Sequence, residues 1–144
     1  MPRSVEAESR GVARVLLLLL LAFAGCGGGG GGSDHPDDVR QTVRDFVEAT
    51  NERDGETLCG ELLTHEYIEK STLAKGDQAD EACREQLDRT VDLRLRLVSI
   101  GKTEVDGDEA TVRVVLDTDG VQAPRLFRLE REDGRWKLAD GTEG

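Results

Sequence analysis

The apolar residues change their spacing once, near Thr90, and that change sets the fold class. Up to Arg89 they recur at intervals of three and four; from Val91 onward they alternate. The first period buries a stripe of a helix, the second one face of a strand. Val39, Val43, Phe46, Val47 and Thr50 form such a stripe, with Arg40, Arg44, Asp45, Glu48 and Glu52 on the other faces. Pro36 suits a first helical turn, and Asp37 and Asp38 complement the helix dipole there. Arg53-Asp54-Gly55 ends this helix, with Gly55 the expected left-handed cap. A second, short helix starts near Glu56 and carries Leu58, Cys59, Leu62 and Leu63. Thr64 caps a further turn or two that presents Tyr67, Ile68 and Leu73. Residues 74–80 read as a loop, and a third helix from about Asp80 to Arg89 carries Ala82, Cys83 and Leu87.

Beyond Thr90, Val91, Leu93, Leu95 and Leu97 alternate with Asp92, Arg94, Arg96 and Val98, the pattern of a half-buried strand. Asp106-Gly107 is a hairpin signal, after which Ala110, Val112, Val114 and Leu116 alternate. Residues 117–120 form another turn. A third strand spans about Pro124 to Leu129, with Leu126 or Phe127 inward and Pro124 at an edge or strand start. A turn at 132–135 leads to a last strand with Trp136 and Leu138 inward. Helices first and a meander second is an α+β pattern. The expected architecture packs N-terminal helices on one face of a curved four-stranded antiparallel meander, a cone-like half-barrel.

The first 36 residues do not join this pattern. Three arginines precede a ten-residue apolar run, 15–24, which ends at Gly25 and Cys26. As a helix the run would span about 15 Å, half of a hydrocarbon core of roughly 30 Å. That length fits the core of a secretory signal peptide rather than a membrane span. Phe23-Ala24-Gly25-Cys26 resembles the bacterial lipoprotein signal, with Phe23 in place of the commoner leucine. The resemblance implies a diacylglyceryl group on the Cys26 sulfur, cleavage before Cys26, and a protein exported and lipid-anchored to the outer face of the bacterial cell membrane. Two acyl chains anchor stably where one holds only marginally. Six glycines follow Cys26, and their large backbone entropy predicts a disordered tether. Ten such residues have a root-mean-square span of roughly 17 Å. The expected organisation is a signal peptide over 1–25, the lipidated cysteine and tether over 26–36, and one domain over 37–144.

Charge and cysteine content narrow the partners. The chain carries 30 acidic and 19 basic residues, a net charge of −11. Removing 1–25, with Arg3, Arg10, Arg14, Glu6 and Glu8, leaves a net of −12. That sign argues against nucleic acid, which requires clustered positive charge, and against electrostatic adhesion to an anionic membrane. With Cys26 assigned to the lipid, Cys59 and Cys83 remain. In an exported domain an even remainder of two reads as one disulfide. A redox pair would more often be Cys-x-x-Cys, and a zinc site would need more ligands than two thiols and two separated histidines.

The Val-x-x-Phe-Val stripe, the short helix pair, Gly107 to Leu116 and Glu132 to Asp140 together resemble the nuclear transport factor 2-like superfamily, in particular its small lipoprotein branch. There a DGD-x-A-x-V hairpin and a DG-x-W-K strand recur, here Asp106 to Val112 and Asp133 to Lys137. The resemblance covers about residues 37–141 and implies the cone. It carries little about activity, because the superfold hosts enzymes, ligand binders and interaction modules.

Enzymes of that superfamily, such as ketosteroid isomerase and polyketide cyclases, place carboxylates, histidine or tyrosine inside the cone. Here His35 lies in the tether, His65 at a helix start, and neither Asp92 nor Asp117 has an evident acid–base partner. Arg94 and Arg96 read as the solvated sheet face. No Ser-His-Asp order, P-loop, Gly-rich dinucleotide turn or zinc spacing occurs. The expectation is a chain with no catalytic residues, metal or cofactor: a membrane-anchored binding or interaction module. Its partner would be a small apolar ligand, in a pocket lined by Phe46, Tyr67, Leu95, Val114, Phe127 and Trp136, or another envelope protein. The alternatives are a ligand-free accessory lipoprotein and, third, an isomerase- or cyclase-type enzyme.

Overall fold

The computed structural model describes residues 35–90 and 93–144. The expected signal peptide, the lipid site Cys26 and the glycine tether as far as Asp34 lie outside the described residues, as do Val91 and Asp92. The element order is α1 (Pro36–Glu52), α2 (Gly55–Thr57), a π-helical turn (Leu58–Leu62), α3 (His65–Thr72), α4 (Asp77–Arg89), then β1 (Leu95–Asp106), β2 (Glu109–Thr118), β3 (Val121–Glu132) and β4 (Arg135–Glu143). The strands pair antiparallel in the order β1-β2-β3-β4. This is the α+β arrangement expected from the change of period.

Local chemistry sets the helix boundaries. Arg53, not Gly55, takes the left-handed conformation that ends α1, at φ 57°. Asp54 then caps α2, its carboxylate accepting from the Thr57 N–H at 3.0 Å and from the Thr57 hydroxyl at 2.6 Å. These bonds hold the Asp54 carboxyl below its ordinary range. Gly55 serves instead as a close-approach residue, since a Cβ there would stand 3.1 Å from the Arg84 side chain. After α2 the chain widens into the π turn, in which the Leu63 N–H donates to the Leu58 carbonyl at 3.1 Å. That turn buries Leu58, Cys59 and Leu62. Thr64 caps α3 as expected, accepting from the Tyr67 N–H at 3.2 Å. Leu73 departs from expectation: it closes α3 at φ 60° and is 89% exposed, so it is not part of the apolar face. α4 starts at Asp77 rather than Asp80, because Gly76, at φ 57°, lets the chain turn directly into the helix.

The hairpins follow turn chemistry closely. Asp119-Gly120 and Asp133-Gly134 each have two positive φ angles, the mirror-image turn that matches strand twist. The first hairpin turns at Gly107-Asp108, one residue later than expected, because Asp106 pairs with Glu109. β1 begins at Leu95, leaving Leu93 exposed, and runs to Asp106 through two register shifts. These shifts reset its inward residues from Leu95 and Leu97 to Ile100 and then Val105. β3 is internal and starts at Val121, so Pro124 is neither on an edge strand nor at a strand start. The missing N–H is tolerated because β4 pairs with β3 only as far as Arg125.

The inward sheet face carries Ala110, Val112, Val114, Leu116, Phe127, Leu129, Trp136 and Leu138, all buried, beneath Val39, Val43 and Val47 of α1. Both sheet edges have covering contacts. The Asn51 side-chain amide donates to the Leu95 carbonyl and accepts from the Leu95 N–H, both at 2.8 Å. At the other edge Leu63 bridges Leu138, and the Thr64 N–H donates to the Leu138 carbonyl at 3.0 Å.

Candidate functional site

The helical corner beside the filled sheet contains two clefts with a common wall. The wall is the Cys59–Cys83 disulfide, which ties the π turn to α4 across 24 residues, together with Leu63. Cys59 and Leu63 border one cleft, Cys83 and Leu63 the other.

The first cleft is apolar, with a volume of about 210 Å³. Phe46 and Thr50 of α1, Leu58 and Leu63, Tyr67 and Ser71 of α3, and Gln86 and Leu87 of α4 surround it. Helical spacing explains the set: 46 and 50, 67 and 71, and 83 and 87 are each one turn apart, so three helices each present one face. Phe46 meets Phe127 edge to face at 5.8 Å between ring centroids, which makes the cleft floor continuous with the sheet core. Burial, and then the charge of Asp140, push the Tyr67 phenol above its ordinary range. Among the described residues the lining holds no carboxylate, histidine or lysine. The arrangement can therefore receive an apolar group and offer it hydroxyl or amide partners at the rim.

The second cleft, about 300 Å³, is polar and bordered by Gly60, His65, Asp80, Glu132, Asp133 and Lys137. Lys137 is buried, although its place between Trp136 and Leu138 points it away from the core. Its ammonium donates to Glu132 Oε1 at 3.1 Å and to the Gly60 carbonyl at 3.3 Å. Such pairing is what a buried charge requires. The other Glu132 oxygen accepts from the His65 N–H at 3.2 Å, at the start of α3. The exposed His65 ring stands 3.3 Å from Glu69 and 4.0 Å from Asp80. Hydrogen bonds from Lys75 and the Gly76 N–H hold Glu69 below its ordinary range, with His65 adding to them. Among the described residues no group of three His, Cys, Asp or Glu side chains is placed to hold a metal ion.

Of the six residues expected to share one pocket, the structure brings Phe46 and Tyr67 to the apolar cleft. Leu95 borders a separate groove with Arg94 and Arg96. Val114, Phe127 and Trp136 are 2%, 5% and 7% exposed, packed in the core. Arg96 does not stand free on the sheet face: it pairs at 2.7 Å with Asp117, which also accepts from the Gly120 N–H. The Arg96 bond, first, and then the Gly120 bond hold the Asp117 carboxyl below its ordinary range. Sequence reasoning placed Leu58, Leu63 and Leu87 on helices without bringing them to a cleft. Their only signal was spacing, which gives a face but not the gap beside it. Nothing in the sequence marked Lys137 as buried.

No family model matches the chain, and neither does any curated protein. Similar solved structures include Rv3472, a protein of unknown function from Mycobacterium tuberculosis, at 20% identity and a TM-score of 0.55, covering 95% of this chain and 77% of that one. A nuclear transport factor 2-like protein of unknown function from Cytophaga hutchinsonii aligns at 13% identity and a TM-score of 0.46, over 73% of this chain and 88% of that one. A provisionally named scytalone dehydratase from Novosphingobium aromaticivorans aligns at 15% identity and a TM-score of 0.49, over 75% and 86%. At these identities the likeness extends to the fold.

Proposed function

We propose that this chain is an extracytoplasmic lipoprotein, held to the membrane through Cys26, whose domain is a binding module for a small apolar group. The observation that carries the binding reading is the apolar cleft of about 210 Å³ among α1, α3 and α4. It lies beside the sheet core, so the ligand site sits at the helical corner rather than in the middle of the cone. Ligand pockets combine an apolar lining with a few polar groups, and Tyr67, Thr50 and Gln86 supply them here. A ligand-free accessory role is the second reading, supported by a sheet interior in which Val112 and Leu129 are fully buried.

Titration with 1-naphthol, followed by protein NMR, tests the site. Saturable shifts at α1, α3 and α4 with a Kd below about 1 mM, lost in Leu87→Trp, are expected. Absence of saturable shifts would move the assignment to the accessory reading. The anchor is tested separately. Cys26→Ser should leave the membrane fraction for the soluble fraction, and a variant that stays membrane-bound would overturn the lipoprotein reading.

A further inference from the structure

We infer that α4 is a detachable wall of the apolar cleft, pinned by the Cys59–Cys83 bridge, so that the cleft takes an apolar group only in the oxidised protein. The ligand part of this inference rests on the binding reading above; the movement of α4 does not. Four of the residues around the cleft, Cys83, Gln86, Leu87 and Thr90, belong to α4 or its cap. If α4 leaves, one side of the cleft leaves with it.

α4 packs on α2, the π turn and α3, and among the described residues makes no substantial contact with the sheet. In thirteen residues it buries only Ala79 and Cys83, whereas α1 buries five residues and spans β1, β2 and β4. One methyl group, one sulfur and the partly buried Leu87 offset only part of the entropy of fixing a helix in place. The polar ties to α3 are few among the described residues: the Gly76 N–H, at the N-cap of α4, donates to Glu69 at 2.9 Å, and the half-exposed His65 ring is 4.0 Å from Asp80. Gly76 enters α4 at a positive φ. The bridge is the one covalent tie between α4 and the helices it leans on.

Release needs a reductant, and a dithiol supplies it with balanced chemistry. A dithiol thiolate entering the polar cleft attacks the Cys59 sulfur; the Cys59–Cys83 bond breaks, and Cys83 leaves as a thiolate that takes a proton. The second dithiol sulfur then attacks the mixed disulfide, freeing Cys59 as a thiol. The dithiol becomes a cyclic disulfide, having given two electrons, and the protein gains two thiols. Closing the bridge reverses this and completes the cleft.

Hydrogen exchange read by mass spectrometry, on the full chain with and without dithiothreitol, tests the movement. After reduction, amides of 77–90 should gain at least about tenfold more in exchange rate than those of α1, β2 and β3, which change only by the fall in global stability. The affinity for 1-naphthol should fall at least about tenfold in the same samples. Unchanged exchange in α4 would overturn the inference. So would an equal acceleration in α4 and throughout β2 and β3, which would make the bridge a support of the whole fold alone; the Cys59→Ala/Cys83→Ala variant repeats that comparison without reductant. If 1-naphthol fails to bind the oxidised protein, the binding reading falls, and the exchange of α4 still decides whether the wall detaches.

Discussion

The sheet side and the helical corner of this domain solve the same problem in different ways. On the sheet, alternating residues from β2, β3 and β4 meet the α1 stripe, and Val39, Val112 and Leu129 are 0% exposed. In the corner, three short helices meet with fewer apolar residues, a cleft remains, and a disulfide holds the parts together. The difference follows from composition. α4 has the residues Asp77, Asp80, Glu81, Arg84, Glu85, Asp88 and Arg89 among thirteen, so little is left to bury. Where apolar area is scarce, a cross-link that restricts the unfolded chain takes over part of the stabilisation. The same scarcity leaves space for a ligand.

The comparison breaks if the two sides respond alike to removal of their supports. The largest effect is expected on the sheet side. Leu129→Ala should destabilise the domain by about 2–5 kcal/mol, because the surrounding strands cannot collapse into the space; denaturant unfolding measures it. In the corner, Cys59→Ala/Cys83→Ala removes a cross-link whose loop-closure contribution is about 3.5 kcal/mol in the entropy model. A stability loss of about 2–4 kcal/mol is expected by the same method. A loss near zero would mean that packing alone holds the corner.

Sequence and structure agree best where the chemistry is local or periodic. The alternation of Ala110, Val112, Val114 and Leu116 specified an inward face, and all four are buried. The Asp-Gly pairs at 119–120 and 133–134 specified hairpins, because few residues other than Asp and Gly accept two positive φ angles in succession. The two cysteines were paired by elimination, and the structure joins them. The pocket was not legible in the same way. Phe46, Val114, Phe127 and Trp136 all read as inward, but whether inward side chains meet or leave a gap depends on the crossing of helices, which periodicity does not encode. Lys137 was invisible for a related reason. Strand alternation assigned it to the outer face, and only the π turn brings the Gly60 carbonyl there to receive it.

Smaller perturbations sharpen the contrast. Leu87 borders the cleft and is only partly buried, so its truncation to Ala should cost less than about 1 kcal/mol, well under the cost at Leu129. A cost above about 2 kcal/mol would show the cleft to be a packed core position.

The smallest effect concerns charge, and it distributes across both sides. Asp117 on the sheet, Asp54 in the corner and Glu69 on α3 are all held below their ordinary carboxylate values, which lie near 3.8 for Asp and 4.5 for Glu. The sign follows from linkage: a carboxylate with a depressed folded-state pKa contributes stability above its unfolded value and loses it as the pH falls through the folded one. Stability should therefore be flat from neutral pH to about pH 5 and decline below that. Removing the Asp117 partner with Arg96→Gln should flatten part of the decline, since that bond is the largest cause at Asp117. The pair is largely solvent-facing on the arginine side, so the change at neutral pH should be slight. Denaturant midpoints measured from pH 3 to 7 in both proteins check it: parallel curves would mean that the Asp117 pair does not contribute, leaving the acid response to Asp54 and Glu69 in the helical corner and to Glu104 on β1.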